Sequence, residues 1–209
     1  MLREEILSGA PTVPLKTLHR FLGKAIWFTR AFPGATFFIR EIAAAIGSAS
    51  SAGAVRMTSA LSDEIAFWRF LDNWTCRVPW WMEKHVAVTI STEASQSRWA
   101  GVIQRQPTDI VLRDFWEGHV ASEGINVKEL WAVAKVLEAL PSDIRDCRVN
   151  FQVDNQAVIH TWMGRGGRAK NMYPVAKRIF HLTQERNLQL TMLIAFLRSA
   201  TRQTGSLGN

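Results

Sequence analysis

A mixed five-stranded β-sheet flanked by helices, preceded by a helical N-terminal region, is the α/β fold that the sequence predicts. Three observations lead there. Between His85 and Ile194 five runs alternate apolar and polar residues, the period of half-buried strands. The first three runs have short joins, which suit an antiparallel meander, whereas the later ones are separated by helix-period segments, which suit parallel pairing through crossovers. Before His85 the apolar residues recur instead at the spacing of amphipathic helices.

In chain order, Leu15, Leu18, Leu22, Ala25 and Ile26 fall at helical spacing, with Lys16, Arg20 and Lys24 on other faces. This amphipathic basic helix ends before Pro33-Gly34. A second helix is expected from Thr36 to Ile46, closed by Gly47, followed by a linker or loop from Ser48 to Ala54 rich in Ser, Ala and Gly. Ser62 is placed to cap a third helix whose apolar side is Ile65, Phe67, Trp68 and Leu71. Trp74 to Met82, with Trp80, Trp81 and Pro79, reads as the connection to the next unit.

His85 to Ser95 is the first strand, with Val86, Val88 and Ile90 on one side. Arg98 to Gln104 is the second. The third, Asp109 to Trp116, follows a turn at Gln106-Pro-Thr-Asp109. Asn126 to Leu140 carries Val127, Leu130, Trp131, Ala134 and Leu137 on one helical stripe and stops at Pro141. Arg148 to Val153 alternates again, a short helix runs from Asn155 to Met163, and a Gly- and Arg-rich loop spans Gly164 to Asn171. Val175, Ala176, Ile179, Phe180 and Thr183 mark a helix, and Leu188, Leu190, Met192 and Ile194 a last strand. The expected organisation is a helical region over 1–82, a sheet domain over 83–197 and an aberrant or disordered tail over 198–209.

Composition bounds the function. With 47% hydrophobic and 21% charged residues the chain is a folded one rather than a disordered one. A formal net charge of +7 favours a polyanionic partner, nucleic acid above all, against the plainer alternative of a generic basic surface. Two cysteines, Cys76 and Cys147, make no disulfide framework and lack metal-ligand spacing, which fits an intracellular, reducing setting in cytoplasm or nucleus. The apolar stretch Phe21 to Ile39 is broken by Lys24, Arg30 and Pro33-Gly34, so no membrane span is expected, and no signal-peptide pattern opens the sequence.

Three carboxylates stand at element junctions. Glu93 ends the first strand, where a plain solvated residue is the alternative. Glu129 lies in the first turn of its helix, where Asn126-Val-Lys-Glu129 is also a candidate capping box. Asp154 follows the fourth strand, where an Asp also makes turns and caps. Taken together they say more. If the first and fourth strands are neighbours, Glu93 and Asp154 emerge at one end, and a helix on the sheet brings Glu129 beside them. Crowded carboxylates repel and call for a cation, and hard oxygen ligands select Mg2+ or Mn2+. Two such ions about 3.5–4 Å apart activate water and stabilise the leaving oxygen in phosphodiester cleavage. In the loop Gly164-Arg-Gly-Gly-Arg-Ala-Lys170, Arg165, Arg168 and Lys170 are candidates for a phosphate backbone, with Asn155 nearby in sequence; a solvated turn is the alternative. The loop lacks the Gly-Lys-Ser/Thr ending of a Walker motif.

The segments Thr92-Glu-Ala-Ser-Gln-Ser-Arg-Trp-Ala-Gly-Val102, Ile125-Asn-Val-Lys-Glu-Leu130 and Val153-Asp-Asn-Gln-Ala-Val-Ile-His-Thr-Trp162 resemble the ribonuclease H (RNase H) domain of retroelement reverse transcriptases, DIRS-type retrotransposons in particular. Upstream, Leu18 to Ile42 and Ala60 to Trp74 look like the thumb and connection before that domain. The resemblance implies an RNase H-like fold and an endonuclease, a Mg2+-dependent (or Mn2+-dependent) hydrolase of RNA in RNA–DNA hybrids. It also implies a polymerase portion as partner. The family's acidic ligands are an Asp, a Glu, an Asp and a late Asp. Glu129 and Asp154 match the second and third, and Glu93 stands where the family has Asp. Leu197 to Asn209 offers no acid for the fourth. A frameshift near Ile194 in a decaying element is the expectation there. Impaired catalysis is expected in consequence. The competing expectations are a catalytically inactive nucleic-acid-binding module or a non-functional remnant. No paired-aspartate motif of a polymerase palm occurs, so DNA synthesis by this chain is not expected.

Overall fold

The computed structural model describes residues 2–49, 53–73, 86–166 and 170–195. The chain divides into two compact units, Met1–Met82 and Glu83–Asn209. The connection expected at Trp74 to Met82 and the tail expected over 198–209 lie outside the described residues.

The first unit contains α1 (Leu2–Ile6), β1 (Thr12–Pro14), α2 (Leu15–Phe28), a 3-10 segment at Pro33–Phe38, α3 (Arg40–Ser48), β2 (Ala54–Arg56), α4 (Ser59–Phe67) and a second 3-10 segment at Trp68–Asp72. Apolar spacing along α2 buries Leu18, Phe21 and Ala25, which join Phe37, Phe38, Ile42, Ile65 and Trp68 among the buried apolar residues of this unit, while Ile26 of the expected stripe is 50% exposed. The helix expected from Thr36 to Ile46 is instead two pieces that meet at Ile39. Packing explains the break. The Phe38 ring stacks on Phe67 at 3.3 Å between centroids, and the Trp68 indole N–H donates to the Phe38 carbonyl at 2.9 Å. The cap of α4 is Thr58, whose hydroxyl oxygen accepts from the Leu61 amide, not Ser62, which lies inside the helix. α3 has no side-chain cap of its own. Glu64 of α4 supplies one by accepting from the Ile42 amide at 3.0 Å. The end of the expected Ser48–Ala54 linker is a strand: β2 pairs antiparallel with β1, Val13 opposite Val55, both buried.

The second unit holds β3 (Val86–Ala94), β4 (Arg98–Gln104), β5 (Ile110–Phe115), a 3-10 segment at Gly118–Ser122, α5 (Ile125–Glu138), β6 (Arg148–Val153), α6 (Gln156–Met163), α7 (Tyr173–Glu185) and β7 (Gln189–Ile194). The strand order is β5-β4-β3-β6-β7, antiparallel across the first three and parallel from β3 to β6 to β7. This is the expected mixed five-stranded sheet with flanking helices. Strand alternation sets its core. Val149, Phe151 and Val153 on β6 and Ile90 on β3 are fully buried, each contributing about 1.5–3 kcal/mol of apolar burial. α5 packs on β3, β4 and α7. Its approach is close because residue 101 is glycine: a Cβ there would collide with the Val136 side chain. Among the described residues no helix is long and apolar enough to cross a membrane.

Candidate metal centre

Parallel pairing of β3 with β6 decides where two of the acids go. The register runs to Ser91 opposite Gln152, and the Ser91 hydroxyl donates to Gln152 Oε1 at 3.1 Å. Glu93 lies two residues beyond Ser91, and Asp154 two beyond Gln152, so both leave the sheet at the same end. Both are exposed.

Glu129 comes to them from α5. The helix begins at Ile125 with Gly124 as its N-cap, so Glu129 is its fifth residue and the expected capping box does not form. Asn126 accepts instead from the Asn155 side-chain amide at 2.8 Å, joining the starts of α5 and α6. The cap of α6 falls to Asn155, whose Oδ1 accepts from the Ala157 amide at 2.9 Å, and not to Asp154.

Glu129 is 5% exposed, and among the described residues its Oε2 has no hydrogen-bond partner. Burial pushes this carboxyl up to about 7, from an ordinary value of 4.5. The negative charges of Asp154 and, more weakly, Glu93 push the same way, and the Ala94 backbone opposes them. Asp154 and Glu93 thus both lie near enough to act on Glu129.

They do not close into a finished cage. Among the described residues no three His, Cys, Asp or Glu side chains are grouped so as to hold an ion. Strand alternation accounts for this departure from the expected convergence. Thr92 lies opposite Gly101, on the face that meets α5, and is buried. Glu93, one residue on, belongs to the other face. The donor set still suits a hard divalent cation: oxygen ligands only, one of them buried and without a partner.

The expected nucleic-acid contacts are less concentrated. Arg165 is half-buried, has a positive φ of 48°, and donates to the Met163 carbonyl. Lys170 is exposed, and Arg168 lies outside the described residues. Sequence reasoning gave Asn126 only a capping role and missed Lys128. A lysine on a helix is ordinarily read as solvated, yet Lys128 is 1% exposed.

No sequence profile of a known family matches the chain, and no curated protein matches it. Among solved structures it is similar to RNase H1 from the halophilic archaeon Halobacterium salinarum NRC-1, at 14% identity and a TM-score of 0.42. That likeness covers 52% of this chain and 84% of that one. It is also similar to LC11-RNase H1 solved in complex with an RNA/DNA hybrid, at 18% identity and a TM-score of 0.41, covering 51% of this chain and 85% of that one.

Proposed function

We propose that the second unit is a metal-dependent nuclease domain that cleaves RNA in RNA–DNA hybrids, from the reverse transcriptase of a DIRS-type retroelement, and that it works at a reduced rate. The first unit would be the thumb and connection, and the polymerase portion a partner. The observation that carries the reading is the buried Glu129 carboxylate, with one unpartnered oxygen, lying within electrostatic reach of Asp154 and Glu93.

Glu129 and Asp154 would be the principal ligands of Mg2+ or Mn2+, with Glu93 as third. The ion would supply Lewis-acid activation of water and neutralise charge at the phosphodiester. Glu129, ionising near neutrality, stores negative charge that a cation relieves. Arg165, Arg168 and Lys170, with Asn155, would bind the nucleic-acid backbone and hold it at the end of the sheet. Glu93 carries one methylene more than an aspartate, and a misplacement of about 1 Å in a reacting geometry costs on the order of a hundredfold in rate.

A second reading is a nucleic-acid-binding module without catalysis. The placement of Glu93 on the face away from α5 favours it. A hybrid-cleavage assay with Mg2+ separates the two. The nuclease reading expects cleavage by wild type that Asp154→Asn abolishes, and cleavage untouched by that change overturns it. Hybrid binding that falls steeply with salt, without cleavage, supports the module. Absence of any duplex binding leaves a remnant without function.

A further inference from the structure

We propose that Lys128 is a positioning residue for the acidic end of the sheet: it fixes the β3–β4 turn, and with it Glu93, against the turn of α5 that carries Glu129. The inference rests on reading Glu93, Glu129 and Asp154 as a metal-holding set.

The Lys128 ammonium has three donors, and all three are engaged. It donates to the Gln96 carbonyl at 2.8 Å, to Gln96 Oε1 at 3.2 Å and to the Ala121 carbonyl at 2.8 Å. Every one of these acceptors is neutral, and among the described residues no carboxylate pairs with the ammonium. Burying a cation on those terms is costly, and an apolar residue would fill the same space at less expense. What the lysine accomplishes is a grip on two segments, the hairpin turn and the 3-10 segment, and among the described residues no other side-chain donor of α5 reaches either.

The turn is pinned from one more side. The Trp116 indole N–H donates to the Ser95 carbonyl at 2.9 Å, and its backbone N–H to the Ser97 carbonyl at 3.0 Å. Three consecutive carbonyls, Ser95, Gln96 and Ser97, are therefore each taken by a donor from outside the hairpin. Within the turn, the Ser95 hydroxyl oxygen accepts from the Arg98 amide, and the Ser95 amide donates to the Arg98 carbonyl. A turn so constrained has one position, and Lys128 refers that position to α5.

Its neighbour completes the arrangement. Glu129 is influenced by the Ala94 backbone, immediately before Ser95. Adjacent helix residues thus address two points of one hairpin, Gln96 through Lys128 and Ala94 through Glu129. Glu93 lies one residue before Ala94. The separation of Glu93 from Glu129 is then set by a buried ammonium before any ion arrives, which is how a weakly converging acid set is kept within reach of a shared cation.

The test compares full-length wild type with Lys128→Met and Lys128→Gln, the latter keeping two donors without the charge. Two quantities are read: amide hydrogen exchange by NMR, and Mn2+ binding by the EPR signal of the free ion. Lys128→Met is expected to speed exchange at Ser95 and Arg98 by about tenfold or more, while Val149 and Phe151 of β6 keep their protection. Its Mn2+ affinity is expected to fall by about tenfold, with partial recovery of both quantities in Lys128→Gln. Wild-type exchange at the turn, unchanged Mn2+ affinity in a folded variant, or loosening spread equally through β6 would each overturn the proposal. If wild type takes up no Mn2+, the metal reading fails by itself, and exchange at the turn still decides what Lys128 holds. Should Lys128→Met not fold, Lys128→Gln is judged by the same criteria.

Discussion

Glu64 in the helical unit and Glu129 in the sheet unit are both buried, at 0% and 5% exposure, yet their surroundings differ in kind. Glu64 accepts the Ile42 amide and so completes the start of α3, whose own N-cap residue is an isoleucine. Glu129 caps nothing. Among the described residues one of its oxygens has no partner, and the charges that shift it, Asp154 and Glu93, are of its own sign. Burial alone therefore says little about a carboxylate. Where its oxygens end decides whether it holds the fold together or waits for something the chain does not supply.

Substitutions can break this contrast or sharpen it. The largest effect is expected from Asp154→Asn, which should lower Mg2+-dependent hybrid cleavage by about a thousandfold, near 4 kcal/mol of barrier, with little change in stability. Gel-resolved cleavage against urea denaturation reads both. Next, Glu64→Ala should cost about 2–4 kcal/mol of stability by emptying a buried site and orphaning the Ile42 amide. Urea titration followed by amide exchange should place that loss in α3 and α4.

Glu129→Gln should do the reverse. Unfolded, this carboxyl ionises near 4.5, whereas folded it keeps its proton to about 7. Between those values the folded state binds more protons, so stability falls as pH rises, and the whole penalty is present above about pH 7. The neutral amide removes the penalty. A gain of about 1–3 kcal/mol at pH 8, and almost none at pH 4, is expected in paired denaturation curves. A variant no more stable at pH 8 would mean that the charge is already balanced. The smallest effect is expected from Glu93→Asp. The shorter acid should raise cleavage or Mn2+ affinity by about tenfold, and no change in either would show that Glu93 has no part in the site.

Much of the sheet was legible because alternation is a local signal. Val149, Phe151 and Val153 sit inward as their spacing predicts, and the bounds of β4 and β6 are those the pattern gives. What escaped depends on distant partners. The β1–β2 ribbon has three residues a side, too few for any period, and its members lie about forty positions apart. The same holds for caps. Ser62 and the Asn126–Glu129 spacing both satisfy a local rule, but Thr58 and Gly124 start those helices, since tertiary packing fixes where the first turn begins. Lys128 was invisible because its acceptors, Gln96 and Ala121, come from two other segments. The candidate acids were recognisable by type and junction. Alternation from Val88 and Ile90 already sets Glu93 on the opposite face of β3, whereas which face α5 would cover depends on packing that no local pattern gives.

Gly101 has a consequence beyond packing. Because β4 offers no side chain there, the Val136 side chain of α5 rests on bare backbone, and that contact sets the gap between helix and sheet. One added methyl would act as a wedge, lifting the helix that carries both Lys128 and Glu129 while every acidic residue keeps its identity. Drift at this glycine could silence the acidic end without touching its chemistry.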